Sequence, residues 1–454
     1  MWTGGLWFPP NRHSLDSGFR LWWSVNPGWR KARRHRGSGA TLTVQGGRGS
    51  GNKGDSHGST PDVLSCRNLG SDKTLLPIGA RSSRGELPII DGPTIDIEEC
   101  KGTKMANTTL EALLADWRIM VETSLREHLA SPEPVLDPYM GMMHYHMGWV
   151  DREFRPIARS VGKRSRPLLL LLACRTLGLD AEKALPAAVS VELLHAYSLL
   201  HDDIEDGDEY RRHSPTVWKI WGIPQAINVG DGLFGCTFRA MAELHGTGFG
   251  SDTVAVAMSM LIDTSIALTE GQFLDIDFEQ RTRLSLDDYT RMVQGKTAAL
   301  FGTCLACGAH LSTNDGPMRE RFRQLGEQTG IAYQMLDDIN GIWADEDDTG
   351  KAPHQDIRRR KKSFPIALAF ADRDIGERMV ALYSRDMTAE NVEATLVLLA
   401  AAGIKERCLH LYGRQLDAIR QTQEEIEHAL HLEGRPVDLL EEFIGRLLSV
   451  PDLR

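Results

Sequence analysis

The chain reads as an all-α fold, and three observations carry that prediction. Apolar residues recur at three- and four-residue spacing through nearly all of 107–449, the period of one helical face. No convincing run alternates polar and apolar residues in the manner of half-buried strands. The breaks between periodic segments are turn formers: Ser131-Pro132-Glu133-Pro134, Gly207, Gly246 to Gly250, Asn314-Asp315-Gly316-Pro317 and Thr349-Gly350.

The elements follow in order. Segment 107–130 opens with the N-cap candidates Asn107-Thr108-Thr109, after which Leu110, Leu113, Leu114 and Trp117 repeat at helical spacing. Segments 167–177 and 186–201 are strongly apolar, and the second runs into the acidic stretch Asp202-Asp203-Ile204-Glu205-Asp206. Helical periodicity continues through 223–245, 251–275, 286–311, 318–343, 363–371 and 375–449. No apolar stretch approaches the ~20 residues of a membrane span, and the best, Pro167 to Ala173, is far too short.

Composition separates two regions. At 454 residues, 41% hydrophobic and 25% charged, the chain can bury a large core. Residues 1–104 hold 15 Lys/Arg against 9 Asp/Glu, leaving 37 against 53 for 105–454. The first region is rich in Gly, Ser and Arg, carries Trp2, Trp7, Trp22, Trp23 and Trp29, and lacks periodicity. We expect 1–104 to be a disordered extension, or sequence upstream of a start at Met105, and 105–454 to be one domain. A basic, acid-poor leader also admits an organelle transit peptide, the alternative to a cytoplasmic protein. The acidic domain argues against a nucleic-acid partner. Seven cysteines in a long chain suit a reducing compartment rather than a disulfide framework. Cys304 and Cys307 form a CxxC in small, apolar surroundings and read as helix-packing residues.

Asp202 and Asp206 are the most informative residues. Four apart, they project from one helical face about one turn from each other. Two carboxylates that close repel unless one takes a proton or a cation sits between them. Oxygen ligands on one face suit Mg²⁺, which completes its shell with water and substrate phosphate. Alone, such a pair is more often a solvated helix end. Five further clusters change that balance: Gly162-Lys163-Arg164-Ser165-Arg166-Pro167, Arg211-Arg212-His213-Ser214-Pro215, Gly295-Lys296-Thr297, Gln334-Met335-Leu336-Asp337-Asp338, and Gly350-Lys351 with the basic run Arg358 to Lys362 behind it. Lys and Arg pair with phosphate oxygens, Arg bidentately. Each cluster is weak alone, and a basic run is usually a solvated face.

In this order and spacing, the clusters resemble those of the trans-isoprenyl diphosphate synthases, the polyprenyl synthetase family, over roughly residues 140–400. The resemblance implies a bundle of long antiparallel helices around a deep apolar cavity, usually in a homodimer. It implies that Asp202 and Asp206, with Asp337 and Asp338 of a second acidic motif, hold three Mg²⁺ on the diphosphate of an allylic substrate. Lys296 and Lys351 match lysines that grip that diphosphate, with Arg211 beside them. Lys163, Arg166, His195 and Arg212 match a site for isopentenyl diphosphate. Thr297 and Gln334 match polar residues lining the reacting carbons. The implied reaction condenses isopentenyl diphosphate with an allylic diphosphate, giving a short all-trans prenyl diphosphate and free diphosphate. An aromatic residue five before the first aspartate resembles geranylgeranyl-producing members, so Tyr197 points to a C20 product, with C15 next. Helical geometry places Ser198 most directly beneath Asp202.

The match falters at Gly341, where the family pattern has a third aspartate and the next acid here is Asp345. The same run loosely fits the metal triad of class I terpene cyclases, the nearest rival, yet a cyclase has no need for Lys163, Arg166 and His195 together. A non-catalytic subunit of a hetero-oligomeric synthase is the other rival. Such subunits lose the first acidic motif or the lysines, and this chain keeps both. Asp275 and Asp277 fit a GQxxD pattern and are assigned no catalytic role.

Overall fold

The first helix starts where its cap chemistry puts it. Thr109 holds extended backbone and accepts a hydrogen bond from the Ala112 amide, and α1 then runs Leu110–His128. In this computed structural model residues 109–157, 162–344, 354–431 and 438–450 are described. The expected N-terminal extension 1–104, together with Lys351 and Asp345, lies outside them.

Helices α2 (Asp137–His146), α3 (Ser165–Thr176) and α4 (Leu185–Glu205) follow. A short hairpin of β1 (Tyr210–Arg211) and β2 (Ser214–Pro215) leads to α5 (Val217–Trp221), α6 (Ile223–Ala242) and α7 (Ser251–Gln280). α8 (Leu286–Val293) passes through a π-helical turn, Gln294–Ala298, into α9 (Ala299–Ser312), and α10 (Gly316–Trp343) returns beside it. The C-terminal part adds α11 (Gln355–Arg358), α12 (Phe364–Phe370), α13 (Gly376–Tyr383), α14 (Ala389–Ala401), α15 (Ile404–His431) and α16 (Asp438–Leu447). The fold is all-α, as the periodicity predicts.

α3 and α9 are apolar around nearly their whole circumference, and such helices belong at the centre. α9 accordingly packs on α3, α7 and α10, while α4 packs on α3 and α6, and α10 on α15. Cys304 and Cys307 are buried within α9, where burial pushes the Cys307 thiol up to about 12. Where α9 and α10 meet, Gly302 and Gly326 let the two backbones touch: a Cβ at 326 would collide with the Phe301 carbonyl oxygen and lie 2.7 Å from the Gly302 Cα.

Three features differ from the sequence reading. The stretch 286–311 is interrupted by the π turn, and 375–449 resolves into four helices. α2 and the hairpin occupy segments without apolar periodicity. α7 is also longer than the periodic stretch 251–275 and, by length and composition, apolar enough to cross a membrane. The sequence reading passed over it because its apolar residues are spread around the helix rather than forming one run. One side, including Leu261, Leu268 and Phe278, is buried in the bundle, whereas Val256, Ile262, Ile266 and Phe273 are exposed.

The Gly326 contact makes a prediction. Gly326→Ala gains roughly 1 kcal/mol of helix propensity but overpacks backbone against backbone, at a cost of about 1–3 kcal/mol. We expect a lower thermal midpoint by calorimetry. An unchanged or higher midpoint would mean that the α9–α10 contact is not tight.

Candidate active site

α4 forms one wall of a cavity of about 1760 Å³. Of the residues singled out from the sequence, Arg166, His195, Tyr197, Ser198, Asp202, Asp206, Arg211, Arg212, Lys296, Thr297, Gln334 and Asp337 all line it. Lys163 is exposed and does not line it, and Asp338 is buried behind the wall.

The charged end is built on the last turn of α4. The Asp206 amide donates to the Asp202 carbonyl at 2.9 Å, so the two carboxylates stay one turn apart although Asp206 caps the helix. Lys296 lies 3.0 Å from Asp202 and donates to Asp275 at 2.5 Å. Burial would lower the Lys296 ammonium, but the charges of Asp275, Asp202 and Asp206 outweigh it and raise it. The π turn delivers this lysine: Gly271 of α7 and Gly295 of the turn pack backbone to backbone, with no space for a Cβ at either. Partial desolvation, and next the Asp202 charge, push Asp206 up to about 7.

The hairpin supplies cations. Its central residues Arg212 and His213 both take positive φ, 50° and 60°, as a type I′ turn demands. Arg211 Nε donates to Asp203 at 2.5 Å and its Nη2 to Asp202 at 3.3 Å. Asp203 itself is buried and pushed up to about 6 by that burial, against the pull of Arg211. Seven residues before Asp202, His195 Nε2 accepts from Arg166 Nη1 at 3.0 Å. Arginine can only donate, so the neutral ring carries its proton on Nδ1. Burial, followed by the charges of Arg166, Arg211 and Arg212, holds His195 well below the usual histidine range and keeps it neutral.

The second acidic motif is divided in two. Asp337 lines the cavity, but Asp338 departs from the metal-ligand expectation. Its oxygens accept from Tyr289 Oη at 2.7 Å, the Phe364 amide at 2.9 Å, Gln334 Nε2 at 3.0 Å and Lys361 Nζ at 3.1 Å. Those four donors fill a carboxylate's lone pairs. Asp338 therefore orients Gln334, whose Oε1 accepts from Thr297 Oγ1 at 2.9 Å. At Gly341 the space for a side chain is taken from downstream: a Cβ there would lie 2.5 Å from the Asp356 carboxylate, which itself lines the cavity.

Apolar side chains also line the cavity, among them Leu268, Leu300, Phe273 and Tyr333. The Tyr197 ring stands 4.7 Å from His201 and 4.7 Å from Phe234, and Phe234 meets Phe238 edge-on at 4.9 Å. Ser198 Oγ donates back to the His195 carbonyl at 2.9 Å.

Sequence reasoning missed several lining residues. Asp275, given no role, is the near partner of Lys296. Arg359, Lys361 and Lys362 of the supposedly solvated basic run face the cavity, and Arg359 pairs with Asp208 at 2.7 Å. The GQxxD pattern was the one available signal for Asp275. Nothing local distinguishes a cavity-facing basic run from a solvated one.

The donor set fits Mg²⁺: Asp202, Asp206, Asp337 and Asp356 offer only oxygens, and the raised Asp206 marks carboxylates short of positive charge. Among the described residues no three His, Cys, Asp or Glu side chains are grouped as an all-protein cage. A cation here would take its remaining ligands from water and diphosphate.

Comparison with known proteins agrees with this geometry. The Polyprenyl synthetase family model matches residues 148–399. A (2E,6E)-farnesyl diphosphate synthase of Mycobacterium bovis is 37% identical over 272 residues, 60% of this chain and 74% of that protein. A geranylgeranyl diphosphate synthase of Mycobacterium tuberculosis is 38% identical over 283 residues, 61% of this chain and 79% of that protein. The crystal structure of a polyprenyl synthetase from Streptomyces coelicolor superposes with TM-score 0.65 at 33% identity, covering 75% of this chain and 100% of that one.

The raised Asp206 predicts a pH dependence. The folded protein binds this proton more tightly than the unfolded chain, so its stabilising effect is lost as pH rises from the usual carboxylate range near about 4 to about 7. In denaturant titrations without divalent cation, the wild type should lose stability across that window, and Asp206→Asn should flatten the slope. Equal slopes for both proteins would place the proton elsewhere.

Proposed function

The chain belongs to the polyprenyl synthetase family, and we propose from that premise how its own residues perform the reaction. It is a prenyltransferase that condenses isopentenyl diphosphate with an allylic diphosphate into a short all-trans prenyl diphosphate, releasing diphosphate. One observation carries the assignment of residues: Asp202 is shared by Lys296 and Arg211, and on the same helix, seven residues earlier, His195 meets Arg166. Two groups suited to anions thus line one cavity, which apolar side chains also line.

In this reading Lys296 and Arg211 hold the allylic diphosphate. Arg166, His195 and Arg212 hold isopentenyl diphosphate, with Lys163 at the rim. Asp202, Asp206 and Asp337 would hold Mg²⁺, and bound Mg²⁺ would neutralise charge on the departing diphosphate. Lys296 and Arg211 stabilise the same charge from fixed positions, which is where preorganised electrostatics help most. As the allylic C–O bond breaks, the isopentenyl double bond attacks the allylic carbon and a proton leaves to the released diphosphate. Thr297 and Gln334, fixed by Asp338, keep a polar edge beside the reacting carbons. The apolar walls keep water from the cation.

Support for a C20 product, with C15 next, comes from Tyr197, a bulky ring on α4 that lines the cavity and is backed by Phe234. The family's usual homodimer is supported by the exposed apolar residues of α7, Val256, Ile262, Ile266 and Phe273. Phe273 and Ile276 of that helix also line the cavity.

Two measurements test these proposals. With Mg²⁺, isopentenyl diphosphate and geranyl diphosphate, the purified protein should yield linear C20, and Tyr197→Ala should lengthen it, read by chromatography. Unchanged length would put the floor elsewhere, and a cyclic hydrocarbon would favour a cyclase. Light scattering should give twice the chain mass, and Ile262→Glu with Ile266→Glu should halve it. A monomeric wild type would remove the dimer.

A further inference from the structure

The loop ahead of α3 holds one arginine that the reaction above does not use. Lys163, Arg164 and Arg166 form a run of three cations at a helix mouth, but the middle one turns inward. Arg164 takes left-handed backbone, φ 46°, at the N-cap of α3, a conformation a non-glycine residue keeps only when its surroundings enforce it. Its side chain is 5% exposed. Nε donates to Glu122 of α1 at 2.5 Å, Nη1 to Glu192 of α4 at 2.7 Å, and Nη2 to the Met147 carbonyl at 3.4 Å. The second oxygen of Glu122 accepts from Trp149 Nε1 at 2.8 Å.

A buried ion triad adds little net stability, because desolvation offsets the Coulomb gain, whereas it specifies geometry strongly. The geometry here is a register. Glu192 and His195 stand three apart on one face of α4, and Arg164 and Arg166 two apart, at the N-cap and in the first turn of α3. Arg164–Glu192 at 2.7 Å and Arg166–His195 at 3.0 Å are therefore neighbouring cross-links between the same two elements. The second is the weaker restraint. Arg166 Nε is buried without a hydrogen-bond partner among the described residues, and its guanidinium otherwise rests 4.8 Å over the Phe301 ring. Glu192 also offsets the mutual repulsion of Arg164, Arg211 and Arg212.

We infer that Arg164 is a positioning residue for the isopentenyl diphosphate subsite: paired with Glu122 and Glu192, it fixes the loop so that Arg166 meets His195 and Lys163 turns to the rim. The inference rests on the assignment of Arg166 and His195 to that subsite. The test is calorimetric titration with isopentenyl diphosphate alone, where no turnover occurs, beside steady-state kinetics with geranyl diphosphate.

The triple variant Arg164→Met, Glu122→Gln, Glu192→Gln removes the charges while keeping the volume. Its Kd for isopentenyl diphosphate should rise about tenfold, with the KM for geranyl diphosphate and the thermal midpoint close to wild type. Arg164→Lys keeps the charge but loses the fork and should be intermediate, and it carries the test if the triple variant does not fold. Wild-type affinity in either folded protein overturns the inference, as does an equal loss for both substrates. Arg166→Ala is the control: if it leaves isopentenyl diphosphate binding unchanged, the subsite assignment itself fails.

Discussion

A partly buried ammonium organises the charged end of this protein. Lys296 sits between Asp202 at the end of α4 and Asp275 on α7, and reaches them because a π turn and two glycines bring its backbone against α7. Carboxylates at this density repel one another when no cation neutralises them. Lys296, with Arg211 also on Asp202, lets the folded chain hold Asp202 and Asp206 a turn apart, and desolvation, followed by the Asp202 charge, leaves Asp206 with a raised affinity for a proton. The same lysine is positioned to meet a diphosphate, so one side chain serves both the resting site and the substrate.

The rest of the cavity combines charge and hydrocarbon. Arg211, Arg212, Arg166 and His195 line it together with Leu268, Leu300, Phe273 and Tyr333. Arginine is suited to such a place because its charge survives burial and its fork matches diphosphate oxygens. His195 complements them as a neutral partner, kept so by burial and by its cationic neighbours.

The second acidic motif shows how adjacent residues divide labour. Asp337 faces the cavity, whereas Asp338, one step round α10, spends its lone pairs on Tyr289, Gln334, Lys361 and the Phe364 amide. It thereby fixes Gln334 and, through it, Thr297. Gly341 is not an empty place in the motif. The Asp356 carboxylate fills the room a side chain would need, so a carboxylate reaches this part of the cavity from a different segment.

By itself the sequence determined the helical architecture, because helical periodicity is a local property, and it singled out Asp202, Asp206, Arg166, Arg211, Arg212 and Lys296, which line the cavity, along with Lys163, which does not. It also contained the pair His195 and Asp202, since a seven-residue spacing on one helix fixes their common face. Only the tertiary structure decided which charges face the cavity. Arg164 turns inward while Lys163 stays out, Asp338 is buried while Asp337 is not, and Arg359, Lys361 and Lys362 of the basic run line the cavity. These outcomes depend on partners far away in sequence: Glu122 and Glu192 for Arg164, Tyr289 and Phe364 for Asp338, Asp208 for Arg359. A side chain's type and spacing say what it can bind, but its direction is set by counter-charges that the fold brings from elsewhere.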